Sequence, residues 1–202
     1  MIVYHHILSY YNIMKCIDFY YDYGSPTAYL AWTQLIKTDK QKFKINYYPV
    51  LLGGIFKATD NKPPGQVKAK ATWMMKDIKM YAESYNVEFK ANDAFPVNTL
   101  YLMRGAIFAK NKGVLEKYNE AIFQAMWVDN INLSDPKNII NTLEKNHFVS
   151  KEFLEAAENN YIKDELKKVT SDAVELGLFG VPSFIIDENL YFGQDRMQWF
   201  LN

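Results

Sequence analysis

The apolar period of this chain changes twice, and that excludes most architectures at once. Cys16 to Asp22 (CIDFYYD) and Phe43 to Pro49 (FKINYYP) are short and rich in strand formers. Between them Ser25 opens a segment whose Ala28, Tyr29, Leu30, Trp32, Leu35 and Ile36 form one apolar helical side. A strand–helix–strand unit of this kind implies parallel strands. From Gln66 to Gly177 the pattern is helical almost throughout. Strand character then returns at Ser183 to Asp187 (SFIID) and Leu190 to Phe192 (LYF), joined as a hairpin through Glu188-Asn189. The expected fold is therefore α/β, interrupted by a large all-helical insertion. Residues 14–65 and 178–202 form the α/β unit, and residues 66–177 the insertion.

Within the insertion, helices are expected at Gln66–Tyr85, Val97–Lys112, Leu115–Asp129, Ser134–Lys145, Ser150–Glu158 and Tyr161–Leu176. Ser134 and Ser150 stand where N-caps belong. Leu51 to Gly65 (LLGGIFKATDNKPPG) reads as a long loop, and Gln194 to Phe200 as a short closing helix. No internal repeat or Gly/Ser linker interrupts this plan.

Composition narrows the function. Lys+Arg and Asp+Glu balance at 23 each, which argues against nucleic acid as the main partner. A single cysteine excludes an intramolecular disulfide and any all-thiolate zinc site within one chain. Cys16 itself reads as a small buried apolar residue in the first strand. His5, His6 and His147 lack metal-ligand spacing, so no metal is expected. Met1 to Met14 is apolar but has no positive n-region and no small-residue cleavage site, and it is too short to span a bilayer. Residues 1–13 are read as an N-terminal extension, with Met14 an alternative start. The expectation is a soluble cytoplasmic protein with no membrane partner.

Four constellations carry potential chemistry. Asp22-Tyr23-Gly24-Ser25-Pro26 sits at a strand-to-helix junction. Free N–H groups and the positive dipole end there favour an anion, to which a hydroxyl can donate. Gly180-Val181-Pro182-Ser183-Phe184 precedes the third strand, and a cis Pro182 leaves the Val181 backbone able to pair with an extended ligand. Gly193-Gln194-Asp195-Arg196 opens the last helix, where N–H groups suit a carboxylate and Asp195 an ammonium. Thr59 to Pro64 (TDNKPP) is a polar loop leading into a helix. Each has an ordinary reading when taken alone: Ser25 and Asp195 as caps, Pro182 as a loop proline, Thr59 to Pro64 as a linker.

Their order and spacing go further. FYYDYGSP, a helical insertion, GVPSF and FGQDRM together resemble the DsbA-like thioredoxin superfamily. Within it they are similar to the branch of kappa-class glutathione transferases and 2-hydroxychromene-2-carboxylate isomerases. Phe95 to Ala106 (FPVNTLYLMRGA) and Leu51 to Pro64 (LLGGIFKATDNKPP) also resemble that branch.

The resemblance implies a thioredoxin-like fold and a glutathione site. In that branch the serine at the start of the first helix meets the glutathione sulfur, and here it is Ser25. Ser25-Pro26-Thr27-Ala28 stands in the place of a redox motif and holds no thiol, which disfavours a dithiol oxidoreductase. The asparagine before the double proline corresponds to Asn61. Val181, before the cis Pro182, pairs its backbone with the cysteinyl unit, and Asp195 with Arg196 matches the motif that holds the γ-glutamyl end. Lys70, in the helix after the double proline, falls where relatives carry an acceptor-side lysine. Tyr23-Gly24 departs from the bulkier apolar pairs usual before the serine. The implied activity is glutathione-dependent isomerisation of a chromene carboxylate, in a homodimer. The alternatives are a kappa-like transferase or peroxidase acting on other electrophiles, and a non-catalytic glutathione-binding protein.

Overall fold

Four strands form one mixed sheet in the order β2-β1-β3-β4, within a computed structural model that describes residues 14–201. The readings of residues 1–13, His5 and His6 among them, and of Asn202 lie outside the described residues. The strands are β1 (Lys15–Tyr21), β2 (Phe43–Pro49), β3 (Ser183–Ile186) and β4 (Asn189–Phe192). The helices are α1 (Pro26–Leu35), α2 (Leu52–Thr59), α3 (Lys68–Ser84), α4 (Leu100–Asn111), α5 (Leu115–Trp127), α6 (Pro136–Lys145), α7 (Ser150–Glu158) and α8 (Asn160–Glu175). Short 3-10 turns lie at Pro64–Gln66 and Gln194–Trp199. β1 pairs parallel with β2, as a crossover through α1 requires, and antiparallel with β3.

The two-residue period of β1 decides which side chains meet which layer. Ile17, Phe19 and Tyr21 are fully buried in the main core. Tyr20, on the other face, joins a second cluster with Val50, Ile55, Ala173 and Val181. Phe19 stacks on Tyr21 at 5.0 Å and on Phe184 of β3 at 5.4 Å. Each such ring contributes about 1.5–3 kcal/mol by leaving water. The main core does not stop at the sheet: it runs on through Tyr23 and Trp32 into Tyr118, Phe123 and Trp127 of α5 and Phe153 of α7.

Five local expectations are corrected. Leu51 to Gly65 is not all loop, because α2 occupies Leu52–Thr59. Gly53-Gly54 lowers helix propensity, but Ile55 is fully buried, and a Cβ on Gly54 would lie only 3.1 Å from Thr170 Cγ2 of α8. Close helix packing therefore overrides propensity there. Ser134 does not cap α6; Asp135 does, accepting from Lys137 N–H at 2.9 Å ahead of Pro136. Ser134 Oγ instead accepts from Asn98 N–H at 3.0 Å. Ser150 is the first residue inside α7, and its hydroxyl donates to Glu144 at 2.8 Å. The hairpin turns at Asp187-Glu188, both left-handed with φ of 47° and 65°, as a two-residue turn demands. Cys16 is exposed, since it shares the Asp18 face at the uncovered start of β1.

Candidate functional site

The end of β1 is shaped by a buried carboxylate. Asp22 accepts from Gly24 N–H and from Leu52 N–H, each at 2.8 Å, so it ties the β1–α1 junction to the start of α2. Burial pushes the Asp22 carboxyl up from its ordinary range, and these two N–H groups and the Thr99 hydroxyl oppose the shift. Trp127 Nε1 donates to Tyr23 O at 2.8 Å, and the Tyr21 and Tyr23 hydroxyls donate to Asn119 Oδ1 at 2.7 and 2.6 Å. The junction is thereby held by α5 of the helical block.

Ser25 follows, buried, as the N-cap of α1. Its Oγ accepts from Ala28 N–H at 3.2 Å, lies 2.9 Å from Thr27 Oγ1, and donates to Val181 O at 3.3 Å. The Val181–Pro182 bond is cis, as the sequence context leads one to expect. The loop that carries it is fixed by Ser183 Oγ donating to Gly180 O at 2.8 Å and by Gly193 N–H donating to Pro182 O at 2.9 Å. Gly193 makes that contact with φ of 97°, a conformation that favours glycine.

The other sequence-derived candidates lie on three further segments. Asn61 Nδ2 donates to Phe179 O at 2.7 Å, which brings the TDNKPP loop beside the cis-proline segment. Asp195 and Arg196 pair at 2.8 Å on the 3-10 turn after β4. Lys70 is exposed on α3. Among the described residues no hydrogen bond or ion pair joins Ser25 to Asp195, Arg196 or Lys70.

Three features escaped the sequence reading. Asp22 has its clamping role only because the chain returns at Leu52, thirty residues on. Thr27 meets Ser25 as the second residue of α1, a contact legible only once Ser25 is known to be the cap. Asp77 and Tyr81 of α3 and Tyr85, its C-cap, lie at four-residue spacing and so share a stripe. Tyr85 Oη donates to Gln194 O at 3.2 Å, so that stripe faces the last turn. Burial and the Asp195 charge both raise the Asp77 carboxyl. A groove of about 410 Å³ opens beside Arg196, lined also by Leu190, Tyr191, Phe192 and Trp199.

Chemically, a buried hydroxyl at a helix start can donate to an anion, while the Val181 carbonyl can receive an N–H from an extended ligand. Asp195 and Arg196 present one charge of each sign side by side.

Known proteins are similar to this chain over most of its length. A glutathione S-transferase kappa 1 of Rattus norvegicus is 24% identical over 200 residues, covering 91% of this chain and 88% of the relative. A 2-hydroxychromene-2-carboxylate isomerase of Sphingobium xenophagum is 25% identical over 188 residues, covering 92% and 95%. Among solved structures, a 2-hydroxychromene-2-carboxylate isomerase superposes with a TM-score of 0.83 at 22% identity, over 91% of each chain, and so shares the fold. A probable DsbA oxidoreductase from Streptomyces coelicolor reaches a TM-score of 0.70 at 16% identity, over 89% of this chain and 84% of that one. The sequence model described as the DSBA-like thioredoxin domain matches residues 16–202, and the chain belongs to that family.

Proposed function

We propose that this protein is a glutathione-dependent isomerase of the 2-hydroxychromene-2-carboxylate isomerase type, acting in the cytoplasm as a homodimer. The observation that carries the reading is the position of Ser25. A buried hydroxyl, not a thiol, stands at the start of α1, 3.3 Å from the carbonyl before a cis proline. The residues around it fit a γ-glutamyl tripeptide. Asp195 and Arg196 offer one charge of each sign to its amino-acid end, Val181 offers a backbone edge to its middle, and Asn61 borders the same loop. When bound, glutathione supplies a thiolate that adds reversibly to a conjugated double bond and leaves a rotatable single bond in its place.

Ser25 and the free N–H groups of α1 favour the charged form of that sulfur, whose free thiol has a pKa of about 8.5. Asp195 takes the ammonium and Val181 aligns the cysteinyl backbone. Lys70, exposed on α3, is the residue we assign to an acidic acceptor. The same residues serve transfer of glutathione to other electrophiles. That second reading is supported by relatives named as kappa transferases, which are as similar to this chain as those named as isomerases.

A turnover panel with glutathione separates the readings: the chromene acid, a chloronitrobenzene and an organic hydroperoxide. Isomerisation of the chromene acid is expected to dominate. Ser25→Ala should slow it roughly ten- to a hundredfold, the effect of losing one donor to an anion (about 1.5–3 kcal/mol). Turnover of the chloronitrobenzene or hydroperoxide alone moves the protein to the transferase reading. Glutathione binding with no turnover of any acceptor overturns both.

A further inference from the structure

Ser25 has one proton, and two acceptors stand within its reach: Thr27 Oγ1 at 2.9 Å and Val181 O at 3.3 Å. Its oxygen has two acceptor positions. Ala28 N–H fills one from 3.2 Å. If Ser25 gave its proton to Thr27, the buried Val181 carbonyl would lose the donor it has, which is costly for a backbone group away from water. If Thr27 is the donor, every capacity is used: Thr27 and Ala28 donate to Ser25, and Ser25 donates to Val181. The second arrangement wins on that count.

We propose that Thr27 is a positioning residue that sets the direction of the Ser25 proton, and that a ligand redirects this proton from Val181 O to its own sulfur. The proposal rests on the glutathione reading above. In the free protein the proton points at the Val181 carbonyl across 3.3 Å, a long and easily surrendered bond. A ligand whose backbone N–H donates to the second lone pair of that carbonyl weakens its hold on the Ser25 proton. With both acceptor positions of Ser25 filled by Thr27 and Ala28, its proton stays on the Val181 side, where a thiolate held along that backbone edge outcompetes the neutral carbonyl for it. No proton leaves Ser25; only its direction changes, and the thiol proton of the ligand goes to solvent. Donation from Thr27 also polarises the Ser25 hydroxyl and makes it a stronger donor. The device thus couples recognition of the peptide backbone to stabilisation of the thiolate.

Thr27→Val keeps the shape of the side chain and removes its hydroxyl; Thr27→Ser restores the hydroxyl alone. The bound-thiol pKa is followed by ultraviolet thiolate absorbance against pH, with kcat and KM for glutathione measured beside it. Thr27→Val should raise the bound-thiol pKa by a few tenths of a unit and lower kcat roughly two- to fivefold with KM nearly unchanged. Thr27→Ser should return both. A wild-type thiol pKa in Thr27→Val overturns the role of Thr27, as does a lost affinity with unchanged thiol pKa, which marks a merely structural contact.

The redirection has its own readout in calorimetry with glutathione and S-methylglutathione, whose thioether is a poor acceptor. Ser25→Ala should weaken glutathione but leave S-methylglutathione unchanged or tighter, because no hydroxyl then competes for Val181 O. Equal weakening of both ligands overturns the redirection. Failure of the wild type to bind either one overturns the glutathione reading instead, so the two failures are distinguishable.

Discussion

Replacing Gly105 by Ala sets two well-known effects against each other. In the interior of α4 an alanine gains roughly 1 kcal/mol over glycine from backbone entropy. Packing opposes it. A Cβ at Gly105 would lie 2.9 Å from Tyr118 Cζ and closer still to the hydroxyl oxygen, so something must shift. Tyr118 has nowhere to go. It is buried, its ring is stacked on Phe153 at 5.1 Å with 4° between planes, and its hydroxyl donates to Leu102 O at 3.1 Å. Overpacking costs about 1–3 kcal/mol, and a buried hydroxyl pushed off its acceptor costs about 1–3 kcal/mol more. The net expectation is a loss of about 1–5 kcal/mol, or roughly 3–15 °C in Tm for a chain of this size.

The effect should reach the candidate site, because Tyr118 packs edge-on against Tyr23, two residues before Ser25, at 6.0 Å. Chemical unfolding in urea measures the loss, and Gly105→Ala combined with Tyr118→Phe completes a double-mutant cycle. Removing the hydroxyl relieves the closest contact, so the combined variant should lose less than the sum of the two single changes. A Gly105→Ala protein as stable as the wild type, or more so, refutes the packing argument and leaves helix propensity in charge.

Other expectations concern the site directly. Asp195→Ala should weaken glutathione by about 1.5–3 kcal/mol, roughly ten- to a hundredfold in Kd, because it removes the one carboxylate of the Asp195–Arg196 pair; unchanged affinity by calorimetry would place the γ-glutamyl end elsewhere. Asp22→Asn tests the buried clamp through pH. The folded Asp22 carboxyl titrates above its unfolded value of about 3.9, so the folded state holds the extra proton in that window. Its contribution is therefore most favourable at low pH and falls as pH rises toward the folded value. The stability difference between wild type and Asp22→Asn should shrink from pH 4 upward in urea unfolding; a difference that grows with pH refutes the assignment.

Local chemistry made much of the framework legible. Residues that alternate every two positions, such as Ile17, Phe19 and Tyr21, must form a strand with one face in a core, and Phe43–Pro49 repeats the signal at the same bounds as β2. Ser25-Pro26 opens α1 because a serine cap and a proline at the first helical position need nothing beyond their neighbours. The signals that misled were those whose outcome depends on distant partners. Ser134 is a capable cap, but Asp135 sits at the right turn and Asn98 claims the Ser134 hydroxyl from another segment. Gly53-Gly54 reads as loop until Thr170 of α8 is brought against it.

The same division holds at the site. Sequence by itself determined the strand, the capped helix and the motifs around Ser25, Val181 and Asp195, because each is set by interactions within a few residues. Tertiary structure alone decided that Ser25 meets Val181 across 156 positions, that Asn61 reaches Phe179, and that Asp22 closes on Leu52. Such pairings arise because burying the two faces of β1 brings the α1 start, the α2 start and the cis-proline loop to one end of the central strands. The residues at either end of each contact carry no local mark of it.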